Sequence, residues 1–83
     1  MRFDVALHEL RLYKSRSQAQ AAIAAGHVLL NGERTKPSHE VHAGDRLTFA
    51  GESHRRTLEL LELPARSLSK GAAKALVREV DRE

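Results

Sequence analysis

The sequence predicts a small α+β domain, on three observations. Apolar residues recur at helical spacing through the first part of the chain. From Val28 onward that spacing gives way to short apolar runs. The change is marked by Asn31-Gly32, the strongest short-range signal for a β-hairpin. The 83 residues make one domain, near the lower limit of what can bury its own core, and the absence of cysteine removes disulfides and thiolate metal sites.

The first helix is expected over residues 4–12. Asp4 is placed to accept from the amides of the first turn as N-cap, and Phe3, Leu7 and Leu10 fall on one apolar stripe beside Ala6. A second helix is expected over residues 16–25. Ser15 is its N-cap, Gln18 completes a capping box three residues on, and Gly26 supplies a left-handed exit. Its apolar face, Ala19, Ala22 and Ile23, is narrow and small, which allows close approach to the first helix.

Val28–Leu30 and residues 33–36 are expected as two strands joined by a type I′ turn at Asn31-Gly32, with Pro37 ending the second because it has no amide to donate. Ala43-Gly44-Asp45 predicts a turn, residues 46–49 a strand, residues 51–54 a further turn, and residues 56–63 a last strand closed by Pro64. After a linker-like stretch at residues 64–68, Ser69 is expected to cap a third helix with Ala72, Ala73, Leu76, Val77 and Val80 on one face. Glu79, Asp81 and Glu83 would oppose its dipole, so its last turn is expected to fray.

Charge is concentrated rather than large. The net charge is +3, but between Arg11 and Lys36 five Lys/Arg face one acid, Glu33. From Gly51 onward seven positive and six negative residues nearly cancel. A local positive field of this kind attracts polyanions. Met1-Arg2-Phe3-Asp4 has no apolar run behind it, so neither a secretory signal nor a membrane span is expected, and the chain is expected in the cytoplasm.

The start of the second helix is the leading candidate site. Unpaired amides and the dipole favour phosphate near Ser15, Arg16 and Ser17, Arg16 adds a planar fork, and Lys14 adds a mobile charge. Lys36-Pro37-Ser38 brings a further charge and hydroxyl just past the hairpin. Asn31 and Gly32 are needed by the turn whatever the protein does. His8, His27, His39, His42 and His54 are scattered, and only His39 and His42 approach a ligand spacing, so no metal is expected. There is no nucleophile elbow, no cysteine and no Gly-rich phosphate loop, so neither catalysis nor a cofactor or small-molecule substrate is expected. Phe3, Tyr13 and Phe49 are the only aromatics, and only Tyr13 is placed to stack on a base. Recognition of a structured nucleic acid through its backbone and shape is therefore favoured over single-strand reading.

Arg2-x-Asp4-x-x-Leu7, Arg11-Leu12-x-Lys14-x-Arg16-Ser17-x-Ala19, Gly26-x-Val28, Asn31-Gly32, Lys36-Pro37-Ser38, Val41 and Gly44-Asp45 together resemble the S-four RNA-binding domain. The resemblance implies an alpha-L RNA-binding motif, with two N-terminal helices packed on a small, mainly antiparallel sheet and RNA held across the helix pair and hairpin. Among its members the chain most resembles the small stand-alone heat-shock and ribosome-associated quality-control RNA-binding proteins of bacteria. It departs from them at Val5 and Ala6, where many carry lysine after the aspartate, and at Ser15, where close relatives can carry another basic residue. What the resemblance implies is a non-enzymatic protein on the large ribosomal subunit, touching ribosomal RNA and tRNA. Residue by residue, Arg2, Lys14, Arg16, Ser17, Asn31, Lys36 and Ser38 match the RNA-facing pattern, and Arg11, Ser15 and Gln20 complete the candidate set. Residues 1–63 are expected to form the RNA-binding domain and residues 64–83 an extension. Two other functions compete: an RNA-targeting module for a modifying enzyme supplied in trans, and a protein-interaction module using the last strand and helix.

Overall fold

The computed structural model describes residues 1–50, 55–65 and 68–82. Two helices, α1 (Phe3–Glu9) and α2 (Arg16–Ala24), precede strands β1 (Val28–Leu30), β2 (Arg46–Ala50) and β3 (Arg55–Leu60). A short α3 (Lys70–Lys74) and β4 (Val77–Arg82) follow. The strands form one antiparallel sheet in the order β1-β2-β3-β4, so the fold is α+β as the sequence predicts. The core joins Phe3, Leu7 and Leu10 of the first segment to Ala19, Ala22 and Ile23 of α2 and to Val28, Leu30, Leu47 and Leu60 of the sheet.

Both N-terminal helices end in the same way. At α2, His27 N–H donates to Ala22 C=O at 2.9 Å and Gly26 N–H to Ile23 C=O at 3.1 Å, with Gly26 at φ 78. This is a Schellman motif. A Cβ on Gly26 would also lie 3.0 Å from Arg34 Nε, while Arg34 Nη2 donates to Ala24 C=O at 2.7 Å and so caps the helix. At α1 the pattern repeats, Leu12 N–H to Leu7 C=O and Arg11 N–H to His8 C=O, but the left-handed position is held by Arg11 at φ 61. The helix thus stops at Glu9, short of the expected residue 12.

The start of α1 also differs from expectation. Its N-cap is Arg2, and Asp4 lies in the first turn, fully buried. The amides of Phe3 and Asp4 donate to the carbonyls of His39 and Pro37 at 2.8 and 3.1 Å. The loop after the hairpin thereby does the capping expected of Asp4, leaving its carboxylate to turn inward.

Leu30 and Glu33 exchange backbone hydrogen bonds of 2.9 and 3.1 Å around Asn31 (φ 52) and Gly32 (φ 84), the signature of the expected type I′ turn. The expected strand at residues 33–36, however, reduces to a single bridge between Leu30 and Glu33. β1 pairs instead with β2, in the register Val28 to Phe49 and Leu30 to Leu47. Past Glu33 the chain leaves the sheet to deliver its carbonyls to α1. The turn at Gly44 (φ 97) is present, and the turn expected over residues 51–54 lies outside the described residues. β3 stops at Leu60, before the expected residue 63, and leaves Leu61 and Leu63 exposed.

The tail departs most from the sequence reading. Ser69 does cap α3, its Oγ accepting from Ala72 N–H at 3.2 Å, but the helix ends at Lys74. The segment expected as its second half is β4, paired with β3 from Leu60 opposite Val77 to Arg56 opposite Arg82. Without β4 the amides and carbonyls on that edge of β3 would lack partners. Ladder pairing, aided by β-branched Val77 and Val80, outweighs the local helical spacing. Ion pairs Arg56–Glu79 (3.3 Å) and Arg78–Glu59 cross between the two strands.

Candidate nucleic-acid interface

One buried carboxylate organises the basic face. Asp4 Oδ1 accepts from Arg2 Nε at 3.0 Å and from Val5 N–H at 2.8 Å. Its Oδ2 accepts from Arg2 Nη2 at 3.1 Å, Arg16 Nε at 3.3 Å and Gln20 Nε2 at 2.8 Å. The Asp4 side chain is 0% exposed, whereas Arg2 and Arg16 remain 44% and 50% exposed. Burial by itself would raise the carboxyl pKa. The hydrogen bonds from Arg2, Gln20, Arg16 and the Val5 amide outweigh it and hold the group down at about 2, from an ordinary 3.8. The carboxylate is thus charged at every physiological pH, and two guanidiniums are held against it with half their surface in water.

Because residues 37–39 cap α1, Lys36 and Ser38, both exposed, lie beside the same end of that helix. The fold therefore gathers Arg2, Arg16, Gln20, Lys36 and Ser38 from segments up to 36 positions apart in sequence. Ser15 is occupied as N-cap of α2, its Oγ accepting from Gln18 N–H at 3.1 Å, and Ser17 is exposed in the first turn. Arg11 and exposed Lys14 stand at the other end of α1, where Arg11 Nε donates to Leu68 C=O at 2.9 Å. Asn31 sits apart on the hairpin. Its Nδ2 donates to Asp45 Oδ1 at 3.2 Å and its Oδ1 accepts from Arg46 N–H at 2.9 Å, which ties the turn to β2.

Sequence reasoning missed the role of Asp4. A signal was available: an acid between Phe3 and Ala6 on an apolar stripe must be neutralised if it is buried. Arg2 and the Val5 amide are local partners, but Arg16 and Gln20 lie 12 and 16 residues downstream and have no local signature. Arg34, counted with the positive cluster, is engaged as a helix cap.

Two helices on an antiparallel sheet, with cations anchored across them, match the alpha-L arrangement that the sequence resemblance implies. A family model described as the S4 domain matches residues 1–47, more than half of the chain, and the chain belongs to that family. It is similar to a heat shock protein 15 homolog from Aeromonas salmonicida, 32% identical over 81 residues, 98% of this chain and 61% of that protein. It is also similar to small ribosomal subunit protein uS4 from Roseiflexus sp., 35% identical over 57 residues, 68% of this chain and 28% of that protein. The chain thus spans less than two thirds of either relative. Among solved structures it resembles the trimeric structure of Vibrio cholerae heat shock protein 15, with a TM-score of 0.88 and 31% identity over 96% of this chain and 81% of that one.

Proposed function

We propose that this protein is a non-enzymatic, cytoplasmic RNA-binding factor of the large ribosomal subunit, contacting structured ribosomal RNA and tRNA in the rescue or quality control of stalled nascent-chain complexes. The observation that carries the reading is the Asp4 anchor. Two half-exposed arginines held on one buried carboxylate are preorganised to receive phosphate oxygens, and Lys36, Ser38 and the α2 start with Ser17 extend the same face. Arg11, Lys14, Ser15 and Asn31 complete the RNA-facing set at the helix ends and hairpin. Membership of the S4 family and similarity to heat shock protein 15 over nearly the whole chain support this reading. No described helix is long and apolar enough to cross a membrane.

Sedimentation of lysate ribosomes through sucrose tests the proposal. The protein is expected in the large-subunit fraction, enriched when subunits carry peptidyl-tRNA, and released by salt. Migration with the small subunit alone, or only with free protein, would reject it.

A further inference from the structure

A groove of about 630 Å³ opens at the C-terminal end of α1, bounded by the α1–α2 loop on one side and the beginning of α3 on the other. Arg11, Lys14 and Lys70 contribute its positive charge, against Glu9 as the one carboxylate among the described residues that line it. Tyr13 supplies an aromatic wall, half-buried, its ring 6.4 Å from that of Phe49 and tilted by 35°. An opening of this size falls in the range that admits a small ligand. Its chemistry, an aromatic face beside cations, suits a base and its phosphates.

We propose that this groove is a second RNA subsite, taking an unpaired nucleotide that flanks the structured RNA, with its base against Tyr13 and its phosphates among Arg11, Lys14 and Lys70. The inference rests on the RNA-binding reading above and extends it from the Asp4 anchor to the C-terminal end of α1. Two further features support it. Arg11 occupies a left-handed position (φ 61) that glycine would fill without strain, as Gly26 does at the end of α2, so an arginine is kept there against its backbone preference. That arginine is also tied through Nε to the Leu68 carbonyl, which joins the two walls of the groove.

Tyr13 is the sole tyrosine and the chain has no tryptophan, so tyrosine emission reports on this groove alone. The test compares a blunt RNA hairpin with the same hairpin bearing an unpaired tail of a few nucleotides. Affinity is measured by anisotropy of labelled RNA for the wild type, Tyr13→Leu and Lys70→Ala. The tail is expected to tighten wild-type binding about tenfold, in line with one stacked base, and to quench tyrosine emission. Tyr13→Leu should lose that increment and Lys70→Ala most of it, both keeping the affinity for the blunt hairpin. If Tyr13→Leu fails to fold, Lys70→Ala and the quenching decide. Wild-type binding to the hairpin with no gain and no quenching from the tail would overturn the subsite alone, and would leave the groove to a protein partner. Absence of binding to either RNA would overturn both readings.

Discussion

Asp4 holds charge and order in one side chain, and the two can be separated experimentally. With a folded pKa of about 2 against an ordinary 3.8, its contribution to stability is complete above the unfolded value and is lost as pH falls from about 4 to 2. Since its arginine partners are half exposed, water screens the pairs and the contribution is about 1–2 kcal/mol. Asp4→Asn should remove that acid-sensitive component, lowering stability at neutral pH while flattening its change between pH 4 and 2, as followed by chemical denaturation. The effect on RNA is sharper evidence. Removing a negative charge from a cationic face should tighten RNA binding if charge alone mattered. If Asp4 positions Arg2 and Arg16, affinity should fall about tenfold, because each long side chain released costs ~0.5–1.5 kcal/mol of ordering on binding. Tighter binding by the variant would show that the arginines need no anchor.

At the scale of elements, what was legible in the sequence follows the range of the signal. α2 could be read almost to the residue, since Ser15 and Gly26 act within their own turns, and of the expected capping box the half from Ser15 Oγ to the Gln18 amide is present. The Asn31-Gly32 turn was equally local, but the partner of β1 was not: the pairing with β2 is set by the loop that leaves to cap α1. Val77 and Val80 fit a helical stripe and a strand alike, and only the open edge of β3 decides between them. The chemistry of the site divides similarly, with its cations visible and the carboxylate that gathers them hidden. The hairpin offers a clean test of a local signal. Gly32 has no heavy atom within 4 Å of where a Cβ would stand, so a side chain there meets no obstacle and only the backbone at φ 84 resists it. Gly32→Val should destabilise by about 1–3 kcal/mol, and Gly32→Asn by less, because asparagine tolerates this conformation. Amide exchange should quicken at Leu30, Glu33 and Asn31 before other core amides. Unchanged exchange together with lost RNA binding would mean that Gly32 touches RNA itself.

For the molecule as a whole, a net charge of +3 is too small to hold RNA by its overall field, so affinity must come from where the charges stand. The longest dimension, 30 Å, spans at most about nine phosphates of one strand at roughly 3.4 Å each. A face built on Arg2, Arg16, Lys36 and one or two neighbours would neutralise about four or five of them. Log affinity for structured RNA should then fall with log salt at a slope of about −3 to −4. Arg16→Ala should reduce that slope by close to one and cost some stability, because it takes a donor from buried Asp4. Arg78→Ala, on β4 with its charge spent on Glu59, should leave the slope unchanged. These outcomes are read from the same salt titration, with thermal melting alongside. Equal slopes for the two variants would mean that charge acts diffusely over the surface, and the anchored face would lose its claim to be the site.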